Sequence, residues 1–345
     1  MGASENVRTM HERDAFGNPN FGPLDNRNRD GNGATVRFLN LSPRPGAFSL
    51  LGFPPTNEKG FSAMTIIEPH CHMISRTTDD YTRMYQSGIR CVVEPAFWQG
   101  ANRRYAGSFF DYFALSLDFE HTRARRYGLD HWSCISVNPK EADDLPLALE
   151  TLAGIEPYLD HPRCVCVGEI GFNRITPNEE RVFQLQLELA KKHALPVLIH
   201  TPHDTPQTSK KTGVERILSI LREFDYDPSL IVVDHNTEET MPLTRKTDYW
   251  AGLTVYPYSK LNPRRVVDIL RRWGTERVTV NSSADWGVSD PCSLPQTSAY
   301  MKEQGFSDDS IRAIMFDNPL AFYSQTPKFQ PALDLPYIDP STYPR

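Results

Sequence analysis

Between residues 64 and about 325, short apolar, β-branched runs alternate with longer stretches of helical periodicity. The runs are MTIIEPH (64–70), IRCVVEPA (89–96), WSCISVNP (132–139), VCVGEIG (165–171), PVLIHT (196–201), LIVVDHN (230–236), YWAGLTV (249–255) and RVTVNSS (277–283). Between them, EERVFQLQLELAKKH (179–193) sets Val182, Leu185 and Leu189 beside Phe183 and Leu187 on one wide apolar face. GVERILSILREF (213–224) and PRRVVDILRRWG (263–274) repeat the pattern, and further helical stretches follow at 307–315 and 318–323. Strands buried on both faces read as near-continuous apolar runs, and these do. Eight successive βα units predict an α/β chain folded as a (β/α)₈ TIM-type barrel, in preference to a doubly wound open sheet.

The flanks read differently. Residues 1–62 are rich in Asn, Asp, Gly, Arg and Pro and predict a partly irregular N-terminal extension. The stretch 326–345, TPKFQPALDLPYIDPSTYPR, predicts a Pro-rich C-terminal tail on the surface. The barrel then occupies 63–325.

Net charge is −6 over 345 residues, so the whole-chain footprint of a nucleic-acid binder is absent. A local groove for nucleic acid stays open, because bound metal ions neutralise phosphates without Lys or Arg. No apolar run approaches the roughly 20 residues needed to span a bilayer. The N-terminus has no apolar signal-peptide core, and Asn6 stands where a myristoylation motif requires Ser or Thr. These features predict a cytoplasmic protein. Cys71, Cys91, Cys134, Cys164 and Cys166 sit in or beside β-like runs, where they read as small buried hydrophobes. The Cys164–Cys166 pair could bind a soft metal, but no second pair stands near it.

Metal-capable residues collect at the C-terminal ends of the predicted strands, where barrel active sites are built. The first ends in Glu68-Pro69-His70-Cys71-His72, the fourth in Gly168-Glu169, the fifth in His200, the sixth in Asp234-His235 and the eighth in Ser283-Ala284-Asp285. Residues two apart on a strand share a face, so His70 and His72 can aim at one ion. Any one of these is as readily a structural histidine or a helix cap. Their order, all at one end of the barrel, carries the inference to one or two divalent ions held by His70, His72, Glu169, His200, His235 and Asp285. Zn²⁺ suits the set best, with Mn²⁺ or Mg²⁺ as alternatives.

The constellation resembles the TatD-related branch of the amidohydrolase superfamily over residues 64–325. GEIGFNR (168–174), QLQLELAKKHALPVLIH (184–200) and Asn318-Pro319 with Phe322 extend the likeness beyond the ligands. The resemblance implies that His70, His72 and Asp285 hold one ion, His200 and His235 a second, and Glu169 bridges them. It also implies that Asp285 takes a proton from the attacking water. The chain departs from nuclease members in reading EPHCHM after strand one, DHNTEE after strand six and SSADWG after strand eight. EPHCHMISRTTDDY and VVEPAFWQG are closer to EboB-like relatives found beside secondary-metabolite genes, which implies a small-molecule substrate.

Around the expected mouth, Arg76 could bind a carboxylate or phosphate, or pair with Asp79 or Asp80. Glu94 could orient a histidine, contact substrate or make an ordinary ion pair; Trp98 follows it. His203 could donate a proton or simply face solvent. Tyr256 and Trp286 could wall a pocket. The reading is therefore a metal-dependent hydrolase using metal-activated water on a small-molecule ester, lactone, amide or phosphoester. A 3′-exonuclease or DNase and a non-catalytic binding or scaffold barrel are the alternatives. The oligomeric state is not encoded in any of these features.

Overall fold

A computed structural model describes residues 64–338; the extension expected over 1–62 and the last residues of the tail, 339–345, lie outside the described residues. Each expected apolar run overlaps one strand: β1 (Ile66–Glu68), β2 (Ile89–Pro95), β3 (Asp130–Ile135, begun two residues before its run), β4 (Cys164–Gly171), β5 (Val197–His200), β6 (Ile231–Val233), β7 (Trp250–Thr254) and β8 (Val278–Asn281). The strands pair in parallel and in chain order, which is the barrel topology that repeated βα units dictate. Helices at Pro177–His193, Lys210–Glu223 and Pro263–Trp273 match the expected periodic segments within a few residues.

Alternation along the strands sorts side chains into two layers. Ile66, Val92, Ile135, Val167, Ile199 and Val233 face outward and pack under the helices. Ile67, Cys91, Val93, Cys134, Cys166, Leu198 and Val232 face inward and form their own cluster. Cysteine's small volume suits the narrow interior, and all six cysteines are free and buried. That cluster also takes in Trp132, Trp250, Phe322, Tyr323 and Phe329. The last three come from the chain beyond β8, so the core is completed by a plug from the C-terminal side of the sequence. The Tyr323 hydroxyl donates to the Pro69 carbonyl at 2.7 Å, just ahead of His70.

Past Thr326 the chain turns at Pro327 and Lys328 and then runs without helix or strand through the described residues, but it is sewn down. Phe329 is buried, Lys328 Nζ donates to the Leu159 carbonyl at 2.6 Å, and the Ala332 amide donates to Asp130 at 2.8 Å.

The seam between β8 and β1 is joined just beyond the strands. Ser283 N donates to His70 O at 2.7 Å and His72 N to Ala284 O at 2.9 Å. Glu68 spans the same seam: its carboxylate accepts from Ser282 N at 3.2 Å and His70 N at 3.1 Å. Burial pushes the Glu68 carboxyl up to about 8, against the pull of those amides.

The loop after β4 is ordered by its own following helix. Thr176 and Glu179 form a capping box, and buried Glu179 also accepts from the amides of Asn173, Arg174 and Ile175. The GFNR stretch beside Glu169 is thereby fixed by a helix start rather than left as a free loop.

Phe322→Ala is expected to destabilise the barrel by about 3–5 kcal/mol, the range for truncating a fully buried aromatic. Tyr323→Phe, which removes one buried hydrogen bond, is expected to cost about 0.5–1.5 kcal/mol. Chemical denaturation of both variants checks the order: a smaller loss for Phe322→Ala than for Tyr323→Phe contradicts the plug.

Candidate metal centre

Five of the six expected ligands converge. His70 and His72 follow β1, Glu169 lies near the end of β4, His200 is the last residue of β5 and His235 stands two residues past β6. His70 Nε2 and His72 Nε2 are 3.1 Å apart. Glu169 Oε1 lies 3.6 Å from His70 Nε2, 3.0 Å from His200 Nδ1 and 2.9 Å from His235 Nε2. His200 Nδ1 and His235 Nε2 are 3.1 Å apart. Donors about 2.1 Å from one ion stand roughly 3.0–3.4 Å apart across octahedral to tetrahedral angles, so these spacings suit metal ligands. Glu169 belongs both to the group with His70 and His72 and to the group with His200 and His235.

The other ring nitrogens fix which atoms point inward. His70 Nδ1 is 2.7 Å from Asp234 Oδ2, and His235 Nδ1 is 2.6 Å from Thr254 Oγ1. Such partners hold a ligating imidazole in one orientation and raise its basicity. His72 stacks on Phe97 with centroids 3.9 Å apart, and its Nδ1 has no hydrogen-bond partner among the described residues. Burial, then the neighbouring His70, hold His72 well below the usual histidine range; burial and the Lys260 charge lower His235 to about 3. Neutral rings at His72 and His235 offer acceptor lone pairs, and a cation between them and their neighbours satisfies these. Burial alone would raise the Glu169 carboxyl, but His70 and His200 outweigh it and keep it ionised. The donor set therefore fits divalent ions.

Asp234 organises the centre. Besides His70, it accepts from its neighbour's amide, His235 N, at 2.7 Å and from Asn281 Nδ2 at 3.0 Å to each oxygen. Burial opposes its ionisation, yet His235 and the His70 hydrogen bond hold it well below the usual carboxylate range. His235 itself adopts φ 58°, a left-handed turn that only a constrained loop holds in a non-glycine residue. Gly252 on β7 makes room: a Cβ there would meet Asp234 Oδ1 at 2.1 Å.

Asp285 falls outside these groups of close donors. Its carboxylate accepts from Tyr256 OH at 2.8 Å and from Gly287 N at 2.8 Å. Three residues of loop, Ser282, Ser283 and Ala284, separate it from the end of β8, and Arg76 hydrogen-bonds its carbonyl.

The expected substrate residues divide. Arg76 also pairs with Asp80 at 3.7 Å, so protein groups occupy much of its guanidinium. Glu94 is fully buried and tied to Ile74 N at 2.9 Å and His131 Nε2 at 2.7 Å. Trp98 lies under Lys140, with Nζ 3.5 Å from the ring centroid. His203 is half-buried, its ring 6.1 Å from that of His200. Tyr256 is buried against Asp285, whereas Trp286 is half exposed, at 52 %.

Sequence reading missed Asp234 as a functional residue, although it sits directly before a ligand candidate at a strand end. It also missed Thr254, Asn281, Ser283 and Lys260. Lys260 lies in the turn after β7, its Nζ 3.2 Å from Ser283 Oγ, and no pattern in the sequence distinguishes it from a surface lysine.

Known proteins share this chain's barrel and much of its sequence. Residues 67–324 match the family described as TatD related DNase. The chain is 30% identical over 261 residues to an uncharacterised metal-dependent hydrolase of Methanocaldococcus jannaschii, covering 75% of this chain and 99% of that protein. A TatD-like protein from Archaeoglobus fulgidus superposes with a TM-score of 0.61 at 25% identity, over 75% of this chain and 99% of that one. The phosphotriesterase homology protein from Escherichia coli, solved with phosphate in its active site, shares the fold at 19% identity with a TM-score of 0.53, over 76% of this chain and 100% of that one. With its whole barrel matched and a buried histidine–carboxylate cluster at the mouth, the chain belongs to the TatD-related family of metal-dependent hydrolases.

Proposed function

We propose that the chain is a two-metal hydrolase of small-molecule esters, lactones, amides or phosphoesters, resembling the EboB-like relatives. One observation carries the reading: Glu169 Oε1 faces His70 on one side and His200 and His235 on the other within 3.6 Å. In this reading His70 and His72 would hold one ion and His200 and His235 the other, with Glu169 shared by both groups. Zn²⁺ suits the histidine-rich set. Divalent ions bound there supply polarisation of a carbonyl or phosphoryl oxygen and a nucleophilic water at neutral pH.

The residues around the ions supply the rest. Asp234 keeps His70 oriented, and Phe97 packs against the face of His72 and excludes water from that side. Asp285 is the proton acceptor, its carboxylate steadied by Tyr256 and the Gly287 amide. Net charge of −6 and the altered EPHCHM, DHNTEE and SSADWG segments favour a small molecule over a nucleic acid.

Elemental analysis of purified protein is expected to find close to two ions per chain, falling to one or fewer in Glu169→Gln. Two ions retained in that variant would remove the bridging role. Asp285→Asn is expected to keep its metal and lower kcat about 10²–10⁴-fold, the range for losing a positioned acid–base group. Metal loss in Asp285→Asn instead assigns it to the ion. A screen of esters, lactones and phosphoesters beside single-stranded DNA decides the substrate class: turnover of DNA alone overturns the small-molecule reading.

A further inference from the structure

Two lysines stand near the metal centre, and they are used differently. Lys210 is almost fully buried, and its Nζ donates to Thr201 Oγ1 at 2.9 Å and to the His235 carbonyl at 3.1 Å. It is a structural tie between the segments after β5 and β6. Lys260 is half-buried, and its ammonium has one hydrogen bond among the described residues, to Ser283 Oγ at 3.2 Å. Its Nζ also lies 5.3 Å from the centroid of the Tyr256 ring. Among the described residues no carboxylate lies within ion-pair distance of it. An ammonium has three donors, so most of its capacity is unspent.

The backbone holds that ammonium in place. The turn is closed by Lys260 N to Tyr256 O and Tyr256 N to Leu261 O, both at 2.8 Å. Arg265 grips the Lys260 carbonyl at 2.6 Å. On the other side, Ser283 is fixed by its amide bond to His70 O and by a left-handed φ of 43°. Through Ser283, whose amide is tied to His70 O, the ammonium stands beside the seam between β8 and β1, at the end of the barrel that carries the histidines. Burial lowers the Lys260 ammonium from its usual value, and the charges of Glu169, Asp285 and Asp234, none of them in contact with it, work against that.

We propose that Lys260 binds an anionic oxygen of the substrate, a carboxylate or phosphate group lying outside the bond that is cleaved. The proposal rests on the metal-dependent hydrolase reading and narrows its substrate class to anionic esters, lactones, amides or phosphoesters. Ser283 orients the ammonium, the Tyr256 ring lies beside it, and the incoming anion completes the donors' partners.

The test is calorimetric titration of inorganic phosphate, and separately of benzoate, into the metal-loaded full chain. Wild type, Lys260→Met, Lys260→Gln and Lys260→Arg are compared, with metal content measured on each. Removal of one charge-assisted contact is expected to weaken binding of at least one anion about tenfold or more in both neutral variants. Lys260→Arg keeps the charge and is expected to stay within a few-fold of wild type. Weakening with phosphate alone assigns the pocket to phosphoryl groups, and weakening with benzoate to carboxylates. Unchanged affinity for both anions in the neutral variants, at unchanged metal content, overturns the proposal and leaves the hydrolase reading intact. Neutral variants that lose metal as well overturn it too, since Lys260 then shapes the ion site. Failure of wild type to bind either anion at tens of millimolar has the same meaning. A wild-type chain that takes up no metal overturns the hydrolase reading and this proposal with it.

Discussion

Asp234 is the constraint around which the rest of the centre is arranged. A fully buried carboxylate is expensive unless every lone pair is answered, and here His70, His235 and Asn281 answer it from three segments of the chain. That requirement explains features that otherwise look unrelated. Gly252 is side-chain-free because Asp234 occupies the space its Cβ would take. His235 accepts a left-handed backbone because the Asp234 carboxylate caps its amide. His70 presents Nε2 to the site because Nδ1 is already engaged. One acidic side chain thus couples β1, β6, β7 and β8 to the orientation of two histidines.

The mouth is correspondingly uneven. On the β1, β4, β5 and β6 side the histidines and Glu169 converge on one another, with the outer nitrogens of His70 and His235 held by Asp234 and Thr254. On the β7 and β8 side, Lys260, Tyr256, Asp285 and the half-exposed Trp286 sit on loops. A barrel separates these duties readily, because strand ends fix the ions while the following loops vary with the substrate.

The fold was legible because burial on both faces leaves a strong mark: each apolar run overlapped a strand, and the long periodic stretches were helices. Five ligand candidates were legible for a related reason, since His and Glu at successive strand ends point to one place in any closed barrel. Asp285 was read from its position in the chain, yet the loop after β8 carries its carboxylate to Tyr256 and outside the close donor groups. Loop paths depend on hydrogen bonds such as Arg76 to the Asp285 carbonyl, which no local pattern announces. Asp234 was overlooked because an acidic residue before a histidine has many ordinary explanations. Its role emerges only when Asn281, 47 residues away in the chain, is seen beside it. Glu94 illustrates the reverse case: a carboxylate at a strand end that the fold uses internally, for Ile74 and His131.

The plug has a consequence in time. Tyr323 grips the carbonyl of Pro69, the residue before the first histidine, across 254 positions of chain. At ribosomal rates of about 5–20 residues per second, the two partners are made on the order of tens of seconds apart. During that interval a nascent chain carries its early histidines without the aromatic floor beneath them. The barrel interior stays open at one end until Phe322, Tyr323 and Phe329 have emerged, so the mature centre belongs to the finished polypeptide and not to its growing N-terminal portion.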